Sequence, residues 1–171
     1  MSKILGNKAL FLDRDGVINE DTGYVCDIAD FKFREGIFDV LRKFCELGYK
    51  LIVVTNQSGI GRGYYTQKQF EILNDHMLGE FKKRGVNITK VYFCPHAPEA
   101  SCECRKPKPK MILDAALEFG IDLEGSVMIG DKPSDVLAGQ NAGVGQNFLL
   151  DGQNFKSVND VYEYMKKEKL L

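Results

Sequence analysis

Five short apolar runs alternate along this chain with longer stretches whose apolar residues recur every three or four positions. The runs are Lys8–Asp13, Tyr49–Thr55, Ile88–Cys94, Ser126–Gly130 and Phe148–Leu150. Unbroken apolar runs of this length suit strands buried on both faces, as in a parallel sheet. Between them lie helical stripes: Ile37, Val40, Leu41 and Phe44; then Phe70, Leu73, Met77 and Phe81; then Ile112, Ala115 and Phe119. Start and stop signals agree with this division. Thr66 and Gln69 form a capping-box pair, Pro133 suits a first turn, and Ser157 suits an N-cap before Val158, Val161 and Met165. Gly48, Gly85 and Gly120 close helices. Parallel strands joined by helical crossovers make an α/β fold, a doubly wound parallel sheet. Such sheets bind ligands beyond the carboxyl ends of their strands, where the strand order reverses.

A chain of 171 residues makes one domain, residues 1–171, and can bury a core without staples. Lys and Arg number 23 against 24 Asp and Glu, a net charge of -1. That balance excludes a general nucleic-acid binder but leaves room for a local cationic cluster around one anionic ligand. No apolar run approaches the ~18 residues that span a bilayer, and the first residues lack a secretory pattern. The expectation is a cytoplasmic monomer with no membrane or nucleic-acid partner. The five cysteines are an odd number, and Cys94, Cys102 and Cys104 crowd together. In a reducing compartment such crowding points to metal rather than disulfides.

The polar residues after each strand carry the chemistry. Asp13-Arg14-Asp15-Gly16 ends the first. Carboxylates two residues apart at a strand tip can face one crevice, one attacking and the other moving protons. A plain polar turn would also carry such a pair; a calcium loop would not, because Gly16 comes too early. Thr55-Asn56-Gln57-Ser58 ends the second strand and offers hydroxyl and amide donors to a phosphoryl oxygen. Asp131 ends the fourth and can join Asp13 around a hard cation, with magnesium fitting an oxygen-only set. Asp131 or Asp135 can instead cap the helix that follows.

After the third strand comes Cys94-x-His96, then Cys102-x-Cys104. Three thiolates and one imidazole would complete a tetrahedral zinc set with no open position, a structural rather than a catalytic site; buried free cysteines beside an exposed histidine are the alternative. The zinc-binding loop spans 94–104. Arg105-Lys106-Pro107-Lys108-Pro109-Lys110 follows directly. Cations held stiffly by prolines beside a strand-end crevice read as phosphate ligands.

Taken together, Phe11-Leu12-Asp13-Arg14-Asp15-Gly16-Val17, Val53-Val54-Thr55-Asn56-Gln57, Lys106 and Ile129-Gly130-Asp131-Lys132-Pro133-Ser134-Asp135 resemble the haloacid dehalogenase-like phosphohydrolases. The zinc set and Cys104-Arg105-Lys106-Pro107 narrow the resemblance to the D-glycero-D-manno-heptose 1,7-bisphosphate phosphatase family, in a group that also holds histidinol-phosphate phosphatases. The resemblance spans residues 8–150. It implies a haloacid dehalogenase-like, Rossmann-like fold, and no insertion is long enough for a separate cap domain. Asp13 would be the nucleophile that forms an aspartyl-phosphate, and Asp15 the acid and base. Magnesium would be held by the Asp13 carboxylate, the Asp15 backbone carbonyl and the Asp131 carboxylate. Thr55 and Lys106 would stabilise the phosphoryl group. Substrate would be bound by Asp21, Thr22, Gly23 and Tyr24, by Thr55, Asn56, Gln57 and Ser58, and by Arg105, Lys106 and Lys132.

The implied substrate is a small sugar bisphosphate, which loses its C7 phosphate in heptose nucleotide and lipopolysaccharide precursor synthesis. Arg105 is the best placed cation for the second phosphate, with Lys108, Lys110 and Lys132 also available. The alternatives are a histidinol-phosphate phosphatase, for which Asp21 would pair with the substrate amine, and a non-catalytic zinc-stabilised module for phosphorylated ligands.

Overall fold

Alternate residues of the central strands point to opposite sides, and both sides are apolar. In β1 (Ala9–Leu12), Leu10 and Leu12 join one buried cluster while Ala9 and Phe11 join another. β2 (Lys50–Asn56) and β4 (Val127–Gly130) repeat the pattern, with Leu51, Val53, Val127 and Ile129 on the first side and Ile52, Val54 and Met128 on the second. A strand with two apolar faces must be covered twice. Helices α1 (Ile37–Glu46), α3 (Gln67–Lys83) and α6 (Val158–Lys167) supply buried side chains to the first cluster. Helices α4 (Lys110–Phe119) and α5 (Pro133–Ala142) supply the second. This computed structural model describes residues 6–171.

With β3 (Ile88–Cys94) and β5 (Gln146–Leu149) the sheet has the order β3-β2-β1-β4-β5, every pair parallel. The chain winds outward through β2 and β3, then returns to the other side of β1 for β4 and β5. The order therefore reverses between β1 and β4, where Asp13 N donates to Ile129 O at 3.2 Å. This reversal sets the residues after β1 and β4 side by side at one crevice.

The expected caps are present. Thr66 Oγ1 accepts from Gln69 N and the Gln69 side chain accepts from Thr66 N, and Ser157 and Asp160 do the same for α6. Three local features differ from the sequence reading. A four-residue helix, α2 (Ser58–Gly61), lies where glycines read as loop, and Ile28–Asp30 form a 3-10 turn. β5 starts two residues earlier than its apolar run, at Gln146. It is a half-buried edge strand, where polar residues are tolerated. The segments between β1 and α1 and between β2 and α3 hold nothing larger than that turn and α2, so no cap unit stands over the strand ends. Among the described residues no helix is long and apolar enough to cross a membrane.

Candidate active site

Lys106 is the centre of the charge arrangement. Its Nζ lies 3.0 Å from Asp13 Oδ1 and 2.6 Å from Asp135 Oδ1, and donates to Val54 O at 2.7 Å. All three charged residues are buried. Burial alone would lower the pKa of this ammonium, but Asp13 and Asp135 outweigh it and raise the pKa. Asp131 stands beside them, so that oxygens of Asp13, Asp131 and Asp135 lie within 4.8 Å of one another. Burial pushes the Asp131 carboxyl up to about 7, helped by the Asp13 charge. Burial raises Asp13 as well, with Lys106 pulling it back and Asp135 adding to the rise. Among the described residues, Asp131 Oδ1 is buried with no hydrogen-bond partner. Gly16 makes this crowding possible. Its φ is +86°, and a Cβ there would sit 2.0 Å from Asp131 Oδ2.

The second carboxylate of the pair is held differently. Asp15 Oδ1 accepts from Arg14 Nη2 at 2.8 Å and from Asn19 Nδ2 at 3.0 Å, while Oδ2 accepts from Gln57 Nε2 at 3.2 Å. Arg14 is 1% exposed and lies near the rings of Phe31 and Phe70. It also donates to Val25 O, which ties Asp15 to the segment carrying Asp21–Tyr24. The sequence reading treated Arg14 only as a spacer within a motif; its burial among aromatic rings has no short-range signal.

A cleft of about 280 Å³ opens over these groups. Of the residues singled out in the sequence, Asp13, Asp15, Asp21, Gly23, Tyr24, Asn56, Gln57, Ser58, Arg105, Lys106 and Lys132 line it. Thr22, Thr55 and Asp131 do not. Thr22 is exposed, Thr55 is buried with its hydroxyl accepting from Gln57 Nε2, and Asp131 is set back against Gly16. Asn56 and Gln57 differ from the expectation of free amide donors. Asn56 Oδ1 accepts from Lys106 N and its Nδ2 donates to Lys106 O, which fixes the lysine backbone. Gln57 is buried and Asn56 half-buried, and both amides find partners within the protein.

The cations divide in two. Arg105 faces the cleft, and among the described residues its buried Nη1 has no partner. Lys132 stands at the rim, 3.4 Å from Asp21 Oδ2 and 3.7 Å from Asp131 Oδ2. Lys108 pairs with Glu103 and Lys110 with Asp114, one turn along α4, so neither joins the cleft. Local carboxylates draw both lysines away from it. Tyr65, Ser134 and Asp135 also line the cleft, and the sequence reading assigned them no site role.

Beside the cleft, Cys94, His96, Cys102 and Cys104 bring their ligand atoms within 4.8 Å of one another. Cys94 Sγ is 3.7 Å from Cys102 Sγ and 3.5 Å from His96 Nδ1, which is 3.2 Å from Cys104 Sγ. Gly61 N donates to Pro95 O at 2.8 Å, docking α2 on this loop.

Known proteins are similar to this chain in sequence and fold. A family profile described as HAD-hydrolase-like matches residues 103–163. The D-glycero-beta-D-manno-heptose-1,7-bisphosphate 7-phosphatase of Helicobacter pylori is 59% identical over 145 residues, 84% of each chain. The chain belongs to this heptose-bisphosphate phosphatase family of haloacid dehalogenase-like hydrolases. The D-glycero-alpha-D-manno-heptose-1,7-bisphosphate 7-phosphatase of Campylobacter jejuni is 46% identical and covers 94% of this chain and 97% of its own. Among solved structures, D,D-heptose 1,7-bisphosphate phosphatase from B. bronchiseptica, complexed with magnesium and phosphate, superposes with a TM-score of 0.84 at 26% identity. That match covers 94% of this chain and 99% of that one.

Proposed function

We propose that this chain is a magnesium-dependent phosphatase that removes the C7 phosphate of D-glycero-D-manno-heptose 1,7-bisphosphate through an aspartyl-phosphate. The observation that carries the reading is the Asp13 carboxylate at the end of β1, 3.0 Å from Lys106 Nζ and open to a cleft that also holds Asp15 and Arg105. Asp13 attacks phosphorus while Asp15 gives a proton to the departing C7 oxygen. Asp15 then takes a proton from the water that attacks the aspartyl-phosphate, and Asp13 is released with inorganic phosphate. Lys106 neutralises the phosphoryl oxygens throughout, and its two carboxylate partners keep it charged.

Magnesium would be held by the carboxylates of Asp13 and Asp131 and by the Asp15 carbonyl, and would supply positive charge to the phosphoryl group. The residues fit such an ion: the donors are all oxygen, three carboxylates crowd together and only two of them pair with Lys106, and Asp131 Oδ1 is buried without a partner among the described residues. Zinc would be held by Cys94, His96, Cys102 and Cys104. A tetrahedron with Zn–S bonds near 2.3 Å puts sulfurs ~3.8 Å apart, and Cys94 and Cys102 are 3.7 Å apart. Four protein ligands leave no position for substrate, so a zinc there would hold the loop that presents Arg105 and Lys106.

The unpaired Arg105 nitrogen supports a second phosphate rather than an amine as the remote group of the substrate. Asp21, the one residue that favoured histidinol phosphate, accepts from Gly23 N and lies beside Lys132. The expectation of a cytoplasmic monomer rests on sequence alone. The test is steady-state hydrolysis of both anomers of heptose 1,7-bisphosphate and of histidinol phosphate with added magnesium. The expected result is a bisphosphate preference, with one phosphate released and the anomeric phosphate retained. A preference for histidinol phosphate would overturn the substrate assignment.

A further inference from the structure

A side-chain amide has two ends of nearly equal shape, so hydrogen bonds decide which end faces a given neighbour. Gln57 is 2% exposed and has three such neighbours. Tyr65 Oη donates to Gln57 Oε1 at 2.5 Å. Gln57 Nε2 donates to Thr55 Oγ1 at 2.9 Å and to Asp15 Oδ2 at 3.2 Å. Thr55 can donate or accept, so it does not set the direction. The Asp15 carboxylate, which only accepts, takes the Nε2 end and leaves Oε1 to the Tyr65 hydroxyl, which donates to it and holds the amide there. With a donor on one side and a carboxylate on the other, one amide orientation satisfies every group. The Tyr65 ring is itself closely seated, because a Cβ on Gly59 would lie 2.1 Å from its Cε1.

We propose that Tyr65 is a positioning residue for Asp15: its hydroxyl fixes the Gln57 amide so that Nε2 holds the Asp15 carboxylate toward the departing oxygen. The proposal rests on the assignment of Asp15 as acid and base. Without the hydroxyl, a buried Oε1 loses its donor, and a flipped amide would set an oxygen against Asp15. A sugar alkoxide must be protonated to leave, whereas a nitrophenolate leaves without a proton. Damage to Asp15 positioning therefore lowers kcat/KM on the sugar phosphate and spares kcat/KM on the aryl ester, although hydrolysis of the aspartyl-phosphate, which enters kcat, needs Asp15 with either substrate.

The experiment compares wild type, Tyr65→Phe, Gln57→Leu, the double variant and Asp15→Asn on heptose 1,7-bisphosphate and on p-nitrophenyl phosphate. On the bisphosphate, Tyr65→Phe should lower kcat and kcat/KM together by roughly three- to tenfold, the worth of one hydrogen bond felt in the transition state. For the aryl ester, kcat/KM should stay within about twofold, which is below the worth of that bond. The double variant should be no slower than Gln57→Leu, since Tyr65 acts through Gln57. Proton exchange of the Gln57 side-chain amide, assigned with Gln57→Leu, gives a readout independent of turnover. It should be slow in wild type and fast in Tyr65→Phe. Equal loss of kcat/KM on both substrates, additive losses, an undiminished kcat/KM on the bisphosphate or unchanged exchange would each overturn the proposal. Asp15→Asn separates the two layers. Its failure to discriminate between the substrates would overturn the acid–base assignment and this proposal with it. Selective loss there, without selective loss in Tyr65→Phe, would overturn the role of Tyr65 alone.

Discussion

Asp135 performs two tasks with one carboxylate. Its Oδ2 accepts from Lys132 N at the start of α5, and its Oδ1 lies 2.6 Å from Lys106 Nζ. In sequence only the first task is visible, because a carboxylate in a first helical turn is an ordinary cap. The second depends on a lysine almost thirty residues earlier and on the packing of α5 against β4. Removing one partner of a buried ion pair costs ~3–5 kcal/mol. Asp135→Ala should therefore shift the denaturant midpoint strongly downward and lower turnover through a mobile Lys106; an unchanged midpoint would contradict the pairing. Asp13, Asp15, Lys106 and Arg105 were legible because each stands at a strand end or in a cationic run. Arg14, Tyr65 and Asp135 were not, since their roles arise from side chains that meet only in the folded chain. Asn56 and Gln57 were legible as site residues, but their engagement with Lys106 and Asp15 was not.

At the scale of elements, the loop from Cys94 to Cys104 fixes the start of the segment that delivers Arg105 and Lys106. Cys102→Ser should reduce zinc content, measured on protein purified without added metal. It should lower the melting temperature, and activity should fall as the cationic segment loosens. Bound zinc and melting equal to wild type would refute a structural metal. The loop before α6 offers a second test. Asp151 accepts from the backbone N–H of Gln153, Asn154 and Phe155, and these donors hold its carboxyl down to about 2. A depressed folded pKa stabilises above the unfolded value of about 3.9 and loses that effect as pH falls through the folded one. Asp151→Ala should thus melt below wild type at pH 7, with the gap closing between about pH 4 and pH 2. A gap that stays constant over that range would contradict the cap. Neither α2 nor the true start of β5 was legible, because glycines hide a single helical turn and an edge strand needs no apolar run.

For the whole molecule, the parallel sheet was legible because strands buried on both faces leave an unbroken apolar signature, and the stripes between them fix the crossovers. Strand order was not in the sequence; Asp131 could join Asp13 only if the first and fourth strands were neighbours. The order β3-β2-β1-β4-β5 meets that condition, setting the ends of β1 and β4 together with Lys106 above them. The central claim is that this meeting point makes Asp13 the nucleophile. Rapid quenching of the magnesium-loaded protein with heptose 1,7-bisphosphate, followed by peptide mass spectrometry, tests it directly. The account predicts a transient phosphoryl group on Asp13 in wild type, with none in Asp13→Asn and turnover reduced roughly a thousandfold or more. A phosphoryl group on another residue, or near-normal turnover in folded Asp13→Asn, would contradict it.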